Sequence, residues 1–403
     1  MRRFLEVVTP NVFLFQVIKM TKHTKLATTL ALSLGAWGCS VDFSSPGRLV
    51  IIGGALSAEN EAIYNAVVEG RDGEGPICVV PTASSDAEEA MHRAVQRITQ
   101  YGGPESASGI LISIETPERA WEPAIAARMD TCSGFYFTGG SQSRIIDVFL
   151  PSGDTTLAYA TLMKRWREGA VVAGSSAGAA MMSQTMISGG SSREAIIDGI
   201  AEGPDADGVQ LRGGMGFFTP ALIDQHFLAR GRIGRLLVSV INQESPMIGF
   251  GIDENTALIV DGDSASVVGE SGVVVVDGRH IDPVGSHMAT GLVVNLMGAG
   301  DFIDLESLQI KGRNTSNALV PDVRMLQGPT DLFSRWAFLH LLVELSTSQE
   351  TEVTVDTEGA RLILRTGEGF TAMMTTLKGG PEGTPAGFSA GPLIVDLLPP
   401  ETD

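Results

Sequence analysis

The sequence has few cysteines, few histidines and few basic residues for its length. Three cysteines and six histidines occur in 403 residues, and 28 Lys and Arg stand against 47 Asp and Glu. The formal net charge of −19 argues against a nucleic-acid partner, because no basic cluster follows the first 25 residues. With 43% hydrophobic residues, the chain nevertheless has enough apolar side chains for one large core or two smaller ones.

Two of the three cysteines, Cys78 and Cys132, lie beside apolar runs. Neither their spacing nor their neighbours resemble a metal site, so we predict two buried free thiols rather than a disulfide or a metal pair. The sequence contains none of the metal-binding motifs with a recognised ligand spacing. We therefore expect no metal and no cofactor.

The third cysteine, Cys39, ends an N-terminal stretch with the pattern of a secretory signal. "MTKHTKLATTLALSLGAWGCS" has a basic start, an apolar run too short to span a bilayer, and small residues before the cysteine. We predict residues 1–46 to be a lipoprotein signal and tether, with Cys39 lipidated and the protein exported to the outer membrane. An ordinary signal peptide, a periplasmic or extracellular protein, and a start at Met20 stay open. Membrane contact is expected only through that anchor.

Downstream of the tether, strand and helix patterns alternate. The runs "RLVIIGGAL", "PICVVPTASS" and "SGFYFTGG" have strand character, and helical patterns separate them. Such alternation predicts a parallel sheet covered by helices on both faces, a three-layer α/β/α core. "SASVVGESGVVVVDGRHI" predicts a β-rich hairpin region. We assign 47–308 to a catalytic domain.

The last part of the chain, 309–403, has a weaker alternation. "DLFSRWAFLHLLVEL" predicts one helix, and "EVTVDTEGARLILRTGEGF" predicts a strand pair. We interpret this part as a small C-terminal α+β extension of unknown role.

The motif G-x-S-x-G occurs twice, around Ser176 and around Ser389. In a chain with 48 glycines the motif alone carries little information. Ser176 follows the apolar run "GAVVAG" and precedes "AGAAMMSQ", which favours helix, so it fits a nucleophile elbow between strand and helix. Pro392 follows the second copy and no helical pattern does, so we predict Ser389 to lie in a loop.

A serine nucleophile needs a general base and an acid that orients the base. Among the histidines, His226 is the best candidate because it follows the apolar run "ALID" at an expected strand end. Glu254 ends another short apolar strand, where a carboxylate needs a partner. Asp253 and Asp224 compete with Glu254, and spacing does not choose among them.

Three stretches, "GSSAGA", "IDQHFLARGRIGRL" and "GIDENTAL", together resemble the cyanophycinase and peptidase E family of serine peptidases. "IIGG", "VVPTASS" and "YFTGGSQSRI" fit the same family in the same order, so the resemblance spans 48–305. It implies a glutamine-amidotransferase-like core with Ser176 as nucleophile, His226 as base and Glu254 as orienting acid. The backbone N–H groups of Gly140 and Ala177 would form the oxyanion hole.

The resemblance also implies a substrate pocket. Its residues would be Gln142, Asp224, Gln225, Arg230, Arg232 and Arg235. Cyanophycin, a poly-aspartate backbone bearing arginine on each β-carboxyl, suits such a pocket, since arginine binds carboxylates bidentately and Asp224 can pair a guanidinium. Each arginine taken alone could equally lie on a solvated helix face. Ser141 stands where the family commonly has Asp or Asn, which leaves substrate preference open.

The expected function is that of an exported serine exopeptidase that cuts cyanophycin into β-Asp-Arg dipeptides through an acyl-enzyme. Two alternatives stay open: an aspartyl dipeptidase of the peptidase E type acting on short Asp-containing peptides, and a non-catalytic lipoprotein that binds a polymer or a partner. The oligomeric state also stays open, a homodimer included.

Overall fold

The computed structural model describes residues 46–203, 205–244, 247–311, 329, 331–374, 380–381 and 387–401. The predicted lipidation site Cys39, and all of the predicted tether except residue 46, lie outside these ranges. Residues 44–403 form one compact unit. Within the described ranges, no helix is long and apolar enough to cross a membrane.

The strands belong to two large sheets and one small one. In chain order they are β1 (Leu49–Ile52), β2 (Ile77–Val80), β3 (Ala107–Gly109), β4 (Gly134–Phe137), β5 (Val171–Ser175), β6 (Thr185–Gly189), β7 (Gln210–Gly213), β8 (Leu222–Gln225), β9 (Ile248–Ile252), β10 (Thr256–Asp261), β11 (Ser264–Gly269), β12 (Gly272–Asp277), β13 (Asp282–Pro283), β14 (Ala289–Gly298), β15 (Phe302–Asp304), β16 (Ile310–Lys311), β17 (Glu352–Thr357), β18 (Ala360–Met373) and β19 (Ser389–Leu398).

The helices cover the sheets. They are α1 (Glu61–Glu69), α2 (Ala87–Gly102), α3 (Pro123–Met129), α4 (Gln142–Phe149), α5 (Leu157–Arg167), α6 (Ala177–Ala180), α7 (Ser192–Asp198), α8 (Ile233–Ile241) and α9 (Ala337–Thr347). Short 3₁₀ turns occupy Pro117–Trp121 and Pro151–Gly153.

The first sheet has the strand order β16-β15-β11-β10-β1-β5-β4-β2-β3. Strands β1 to β5 run parallel to one another, and β10 joins β1 antiparallel. β1 and β2 read "LVII" and "ICVV" and are buried throughout, as expected for parallel strands covered on both faces. Alternate residues of β1 enter different apolar cores, Ile51 on one face and Ile52 on the other. The predicted α/β class with a parallel-strand sheet is confirmed.

The second sheet has the order β17-β18-β19-β14-β12-β9-β8, and only β8 and β9 are parallel. The apolar residues on one of its faces share a core with α8 and α9, and those on the other face of β8, β9 and β12 belong to a core shared with the first sheet. Three of its strands, β17 to β19, come from the segment 309–403. This segment therefore completes the sheet to which β8 and β9 belong, and no boundary between compact units falls at 308. The predicted strand pair is present as β17 and β18.

The predicted hairpin is wrong. β11 pairs with β10 and β15 in the first sheet, whereas β12 pairs with β9 and β14 in the second. The turn between them carries the chain from one sheet to the other. Alternation of apolar residues predicts a strand but not its partner. The sequence alone therefore favours pairing between two strands that are adjacent in the chain.

Two predictions about the C-terminal segment are also wrong. Ser389 does not lie in a loop but begins β19, where it is 1% exposed. The expected helix over "DLFSRWAFLHLLVEL" begins only at Ala337, because Trp336 has a left-handed backbone (φ 52°). Residues 331–336 form turns instead.

The prediction of two free thiols is wrong as well. Cys78 and Cys132 form a disulfide, with 5.8 Å between their Cα atoms, a usual separation for such a bond. Cys78 lies in β2 and Cys132 precedes β4, which is the neighbouring strand. The sequence separation of 54 positions hides this proximity, because it arises only when β2 and β4 pair.

Candidate active site

Ser176 lies in a sharp turn between β5 and α6. Its backbone is left-handed (φ 57°, ψ −110°), a strained conformation for a serine. A Cβ added to Gly174 would lie 2.2 Å from the carbonyl oxygen of Gly178, and one added to Gly178 would lie 2.5 Å from the carbonyl oxygen of Phe137. The two glycines therefore allow strand and helix to approach, as the motif predicted.

His226 follows β8 and also has a positive φ of 49°. Its backbone N–H donates to the carbonyl oxygen of Gly53 (2.7 Å), and its own carbonyl accepts from the N–H of Arg230 (3.0 Å). Glu254 follows β9, the parallel neighbour of β8. Because the carboxyl ends of parallel strands meet at one edge, the histidine and the glutamate come together there.

The three side chains form a continuous hydrogen-bonded chain. The distance from Ser176 Oγ to His226 Nε2 is 2.9 Å, and the distance from His226 Nδ1 to Glu254 Oε1 is 2.6 Å. With Nδ1–H donating to the carboxylate, Nε2 is free to accept the serine proton. This is the geometry of a nucleophile, a base and an orienting acid.

The environment of His226 favours its neutral form. Burial lowers the pKa of His226 most strongly, and the charges of Arg230 and Arg232 lower it further. The hydrogen bond to Glu254 acts in the opposite direction without reversing the shift. A neutral imidazole can accept a proton, so the base is ready to act at neutral pH.

Two glycines after β1, for which no role was predicted, make room for this arrangement. A Cβ on Gly53 would lie 2.0 Å from the carbonyl oxygen of Asp253, and one on Gly54 would lie 2.3 Å from Nε2 of His226. The "IIGG" stretch therefore lets the end of β1 contact both catalytic turns. A glycine pair directly after a buried strand is the sequence signal that could have indicated this.

The turn after β4 lies beside the nucleophile. A Cβ on Gly139 would be 3.3 Å from Cβ of Ser176. Gly140 follows with a φ of 142°, a conformation that favours glycine, and Ser141 N–H donates to Ala83 (2.9 Å). Ala177 is the first residue of α6, where backbone N–H groups have no helical partner. The predicted oxyanion donors thus belong to the two turns that meet at Ser176.

The three predicted arginines border one cavity of about 410 Å³, which we call the basic cavity. Its lining includes Arg193, Arg230, Arg232, Arg235, Asp331 and Phe333. The side chain of Arg230 is exposed, and its guanidinium has no hydrogen bond or ion pair to the described residues. Burial beside two other arginines lowers the pKa of Arg232 to about 10, so it stays charged at neutral pH. Arg193, on α7, was not expected.

Asp224 does not face a substrate guanidinium, contrary to expectation. It is 1% exposed, and its carboxylate accepts hydrogen bonds from Arg235 and from the N–H of Gln225 (2.8 Å), with Arg232 at 3.4 Å. Burial raises the pKa of Asp224, but the two guanidinium groups outweigh this effect and the pKa is lowered. Helix α8 places Arg235 against Asp224 on β8, and sequence spacing does not reveal this contact. The ion pair between Asp224 and Arg235 thus fixes one wall of the basic cavity.

The two predicted glutamines are buried near this site. Gln142 donates its Nε2–H to the carbonyl oxygen of Ile187 in β6 (2.8 Å), which fixes the start of α4. Gln225 is 5% exposed, and its Oε1 has no hydrogen-bond partner among the described residues. Neither belongs to the lining of the basic cavity.

Residues 331–336, outside the predicted catalytic domain, contact both catalytic turns. Trp336 donates its backbone N–H to Leu228 (2.8 Å) and its Nε1–H to the fully buried carboxylate of Asp253 (3.1 Å). Asp253 also accepts from Ala229 N–H (2.8 Å), so it holds the histidine turn rather than the imidazole. Arg335 lies 3.9 Å from the Glu254 carboxylate. The C-terminal segment therefore helps to hold the turns of His226 and Glu254 in place.

Among the described residues, no group of three or more His, Cys, Asp and Glu side chains could hold a metal ion.

Comparison with known proteins agrees with this geometry. Residues 49–268 match peptidase family S51. The chain is 30% identical to the cyanophycinase of Synechococcus elongatus over 244 residues, which cover 58% of this chain and 71% of that protein. It is 31% identical to the cyanophycinase of Trichormus variabilis over 233 residues, 57% of this chain and 73% of that protein.

A solved structure of a peptidase from an acI-B1 Actinobacterium is 20% identical and covers 64% of this chain and 97% of its own, with a TM-score of 0.47. The match to family S51 spans more than half of the 403 residues and includes Ser176, His226 and Glu254. The chain therefore belongs to peptidase family S51 and is a serine-type peptidase.

Proposed function

We propose that this peptidase hydrolyses cyanophycin to β-Asp-Arg dipeptides after export from the cell. The observation that carries the proposal is the Ser176–His226–Glu254 chain beside a cavity bordered by four arginines. The relatives named cyanophycinase support the choice of substrate.

In the proposed reaction, Ser176 Oγ attacks the scissile carbonyl carbon while His226 Nε2 takes the hydroxyl proton. The N–H groups of Gly140 and Ala177 stabilise the oxyanion of the tetrahedral intermediate. When the intermediate collapses, the C–N bond breaks and His226 gives its proton to the leaving amine. Water, activated by the same imidazole, then hydrolyses the serine ester and restores the free hydroxyl.

The charges of the basic cavity suit a peptide that bears free carboxylates. Arg230 presents a guanidinium that has no ion pair to the described residues, and guanidinium groups bind carboxylates bidentately. Since Asp224 is paired internally, Asp331 is the better candidate for a substrate guanidinium: its side chain is 42% exposed and lines the same cavity. Its carboxylate lies 3.4 Å from Arg193, an exposed pair that a ligand can replace at little cost.

The disulfide supports the export part of the proposal. Disulfides persist in oxidising compartments and are rare in the bacterial cytosol. The Cys78–Cys132 bond therefore fits a periplasmic or extracellular protein, in agreement with the signal-like N-terminal stretch. A lipid on Cys39 would attach the protein to the outer membrane.

The function is tested by incubating the protein and its Ser176→Ala variant with cyanophycin and measuring β-Asp-Arg by mass spectrometry. We expect release by the wild type and none by the variant. Equal release by both proteins contradicts the proposed nucleophile. Hydrolysis of Asp-X dipeptides without hydrolysis of the polymer would favour an aspartyl dipeptidase instead.

A further inference from the structure

A second cavity of about 410 Å³ opens at the carboxyl ends of β1, β2, β4 and β5. Its lining includes Ser84, Thr138, Gly139 and Ser175. We call it the α2 cavity, because α2 forms one of its walls. Ser175 and Gly139 are the neighbours of the nucleophile, so this cavity reaches the turn that holds Ser176. Ligands of open α/β sheets bind at the carboxyl ends of the strands.

One face of α2 borders the α2 cavity. Ala90, Arg93, Ala94 and Arg97 line it at the spacing i, i+3, i+4 and i+7 of a single helix face. The alanines leave space, and the two arginines are exposed. Arg93 pairs with Glu89 on the same helix, both about 60% exposed, and such exposed pairs contribute little stability. Arg97 donates to the exposed side chain of Gln100 on the same helix (3.3 Å). Both guanidinium groups therefore have only exposed partners, which an anionic ligand can replace.

One residue that lines the cavity, Thr138, has a buried hydroxyl without a hydrogen-bond partner among the described residues. Thr138 is 6% exposed. Buried hydroxyl groups are normally hydrogen-bonded, and an unpaired one destabilises the fold. A ligand carboxylate in the cavity could accept this hydroxyl's proton in a hydrogen bond.

The α2 cavity and the basic cavity share no lining residue. The α2 cavity reaches the site through Gly139 and Ser175, whereas the basic cavity is lined by Arg230, whose backbone N–H donates to the carbonyl oxygen of His226. Two cavities that both present guanidinium groups thus border the catalytic turns, one beside the turn of Ser176 and the other beside the turn of His226. A substrate with carboxylates on only one side of the scissile bond would leave one of them unused.

We propose that the α2 cavity is a second substrate subsite that binds a carboxylate-bearing residue of the peptide through Arg93, Arg97 and Thr138. It deepens the proposed function and rests on it: the peptide carries carboxylates on both sides of the scissile bond. The ligand class is a peptide carboxylate, either the α-carboxylate that an arginyl branch of cyanophycin keeps or a free C-terminal carboxylate.

The test measures binding rather than turnover, so that it does not depend on cyanophycin hydrolysis. Tri-aspartate is titrated calorimetrically into the Ser176→Ala protein and into the same protein with Arg93→Gln and Arg97→Gln. We expect the Kd to rise about tenfold when both charges are removed, as for the loss of charge-assisted hydrogen bonds. The Arg93→Lys and Arg97→Lys pair should bind within about threefold of the parent.

Two controls separate the subsite from general charge effects. Arg167→Gln removes an exposed arginine at the end of α5 that does not line the cavity, and it should leave the Kd unchanged. Tri-asparagine should bind all the variants equally weakly. An unchanged Kd for the Arg93→Gln and Arg97→Gln protein, or no binding of tri-aspartate to the parent, overturns the subsite. Failure of the proposed function appears separately, as absence of dipeptide from cyanophycin.

Thr138→Val gives an independent readout of the hydroxyl. The two side chains have nearly the same shape, so the Kd for tri-aspartate should rise about threefold by loss of one hydrogen bond. Without ligand, the melting temperature should not fall, because the deleted hydroxyl has no partner in the described structure. A lower melting temperature with an unchanged Kd would show a structural role and contradict the ligand contact.

Discussion

The two copies of G-x-S-x-G place their serines in opposite backbone conformations. Ser176 has a φ of 57° in a turn at the carboxyl edge of a parallel sheet. Ser389 begins β19, is 1% exposed and pairs with Met373 in an antiparallel sheet. One serine points into a site with a histidine at 2.9 Å, and the other is part of a sheet interior.

The glycines of the two copies also do different work. Gly174 and Gly178 provide space, because an added Cβ would contact backbone atoms of the neighbouring turn and strand. Gly387 and Gly391 provide conformation, since their φ values are 59° and 141°. In the first copy of the motif the glycines allow backbone segments to approach closely, and in the second copy they adopt positive φ values.

The largest difference concerns the serines themselves. Ser176→Ala should reduce kcat about 10⁴-fold or more, because no other group replaces the nucleophile. Ser389→Ala removes only a buried hydroxyl in β19 and should leave kcat within about twofold. Steady-state hydrolysis measures both kcat values. Of the two variants, only Ser389→Ala should be labelled by a serine-directed phosphonate. Labelling of Ser176→Ala would contradict the assignment of Ser176 as the nucleophile.

The disulfide belongs to the sheet of the first copy and should contribute the next largest effect. Replacing Cys78 and Cys132 by serine removes a link across 54 residues and should lower the free energy of unfolding by about 2–4 kcal/mol. Urea denaturation with and without reductant measures this. The reduced wild type should have the same free energy of unfolding as the double variant. If the oxidised wild type is no more stable than these two, the prediction is contradicted.

The glycine substitutions separate space from conformation. Gly178→Ala should lower kcat about 10- to 100-fold, because a Cβ 2.5 Å from the Phe137 carbonyl must displace α6 and the serine. Gly387→Ala should cost about 1–2 kcal/mol of stability through its positive φ and leave kcat of the folded protein unchanged. Thermal melts and kcat measured well below the melting temperature distinguish the two effects. Similar losses of kcat in both variants would argue against this division.

The smallest effect concerns the charges around the first copy. The base acts in its neutral form, so activity falls as the pH drops through the pKa of His226. Burial and the Arg230 charge lower this pKa, and Arg230→Gln should raise it and move the acid limb of kcat/KM upward by a few tenths of a pH unit. Arg230→Lys keeps the charge and should keep the limb. A downward shift in Arg230→Gln would contradict the assignment.

The sequence was sufficient to predict the site residues whose position depends on the local pattern of strands. Ser176, His226 and Glu254 each follow a short apolar strand, and the structure brings all three together at strand ends. The resemblance to a known family added the order of the residues and three of the four arginines of the basic cavity, Arg230, Arg232 and Arg235.

Contacts between distant segments were beyond local pattern. The alternation that identifies β11 and β12 as strands is the same whether they pair or belong to different sheets. Likewise, nothing near Cys78 shows that Cys132 will lie on the neighbouring strand, and nothing near Asp253 shows that Trp336 will donate to it. These contacts depend on tertiary structure, which one-dimensional periodicity does not contain.

The position of β19 affects when the sheet that presents the catalytic base and acid can be completed. This strand follows β8, β9 and β14 in the chain, yet it lies between β18 and β14, within the sheet that contains β8 and β9. Strands made earlier must therefore wait for β19 before they have all their neighbours. Assembly of the sheet behind His226 and Glu254 thus depends on a strand that is synthesised long after both residues.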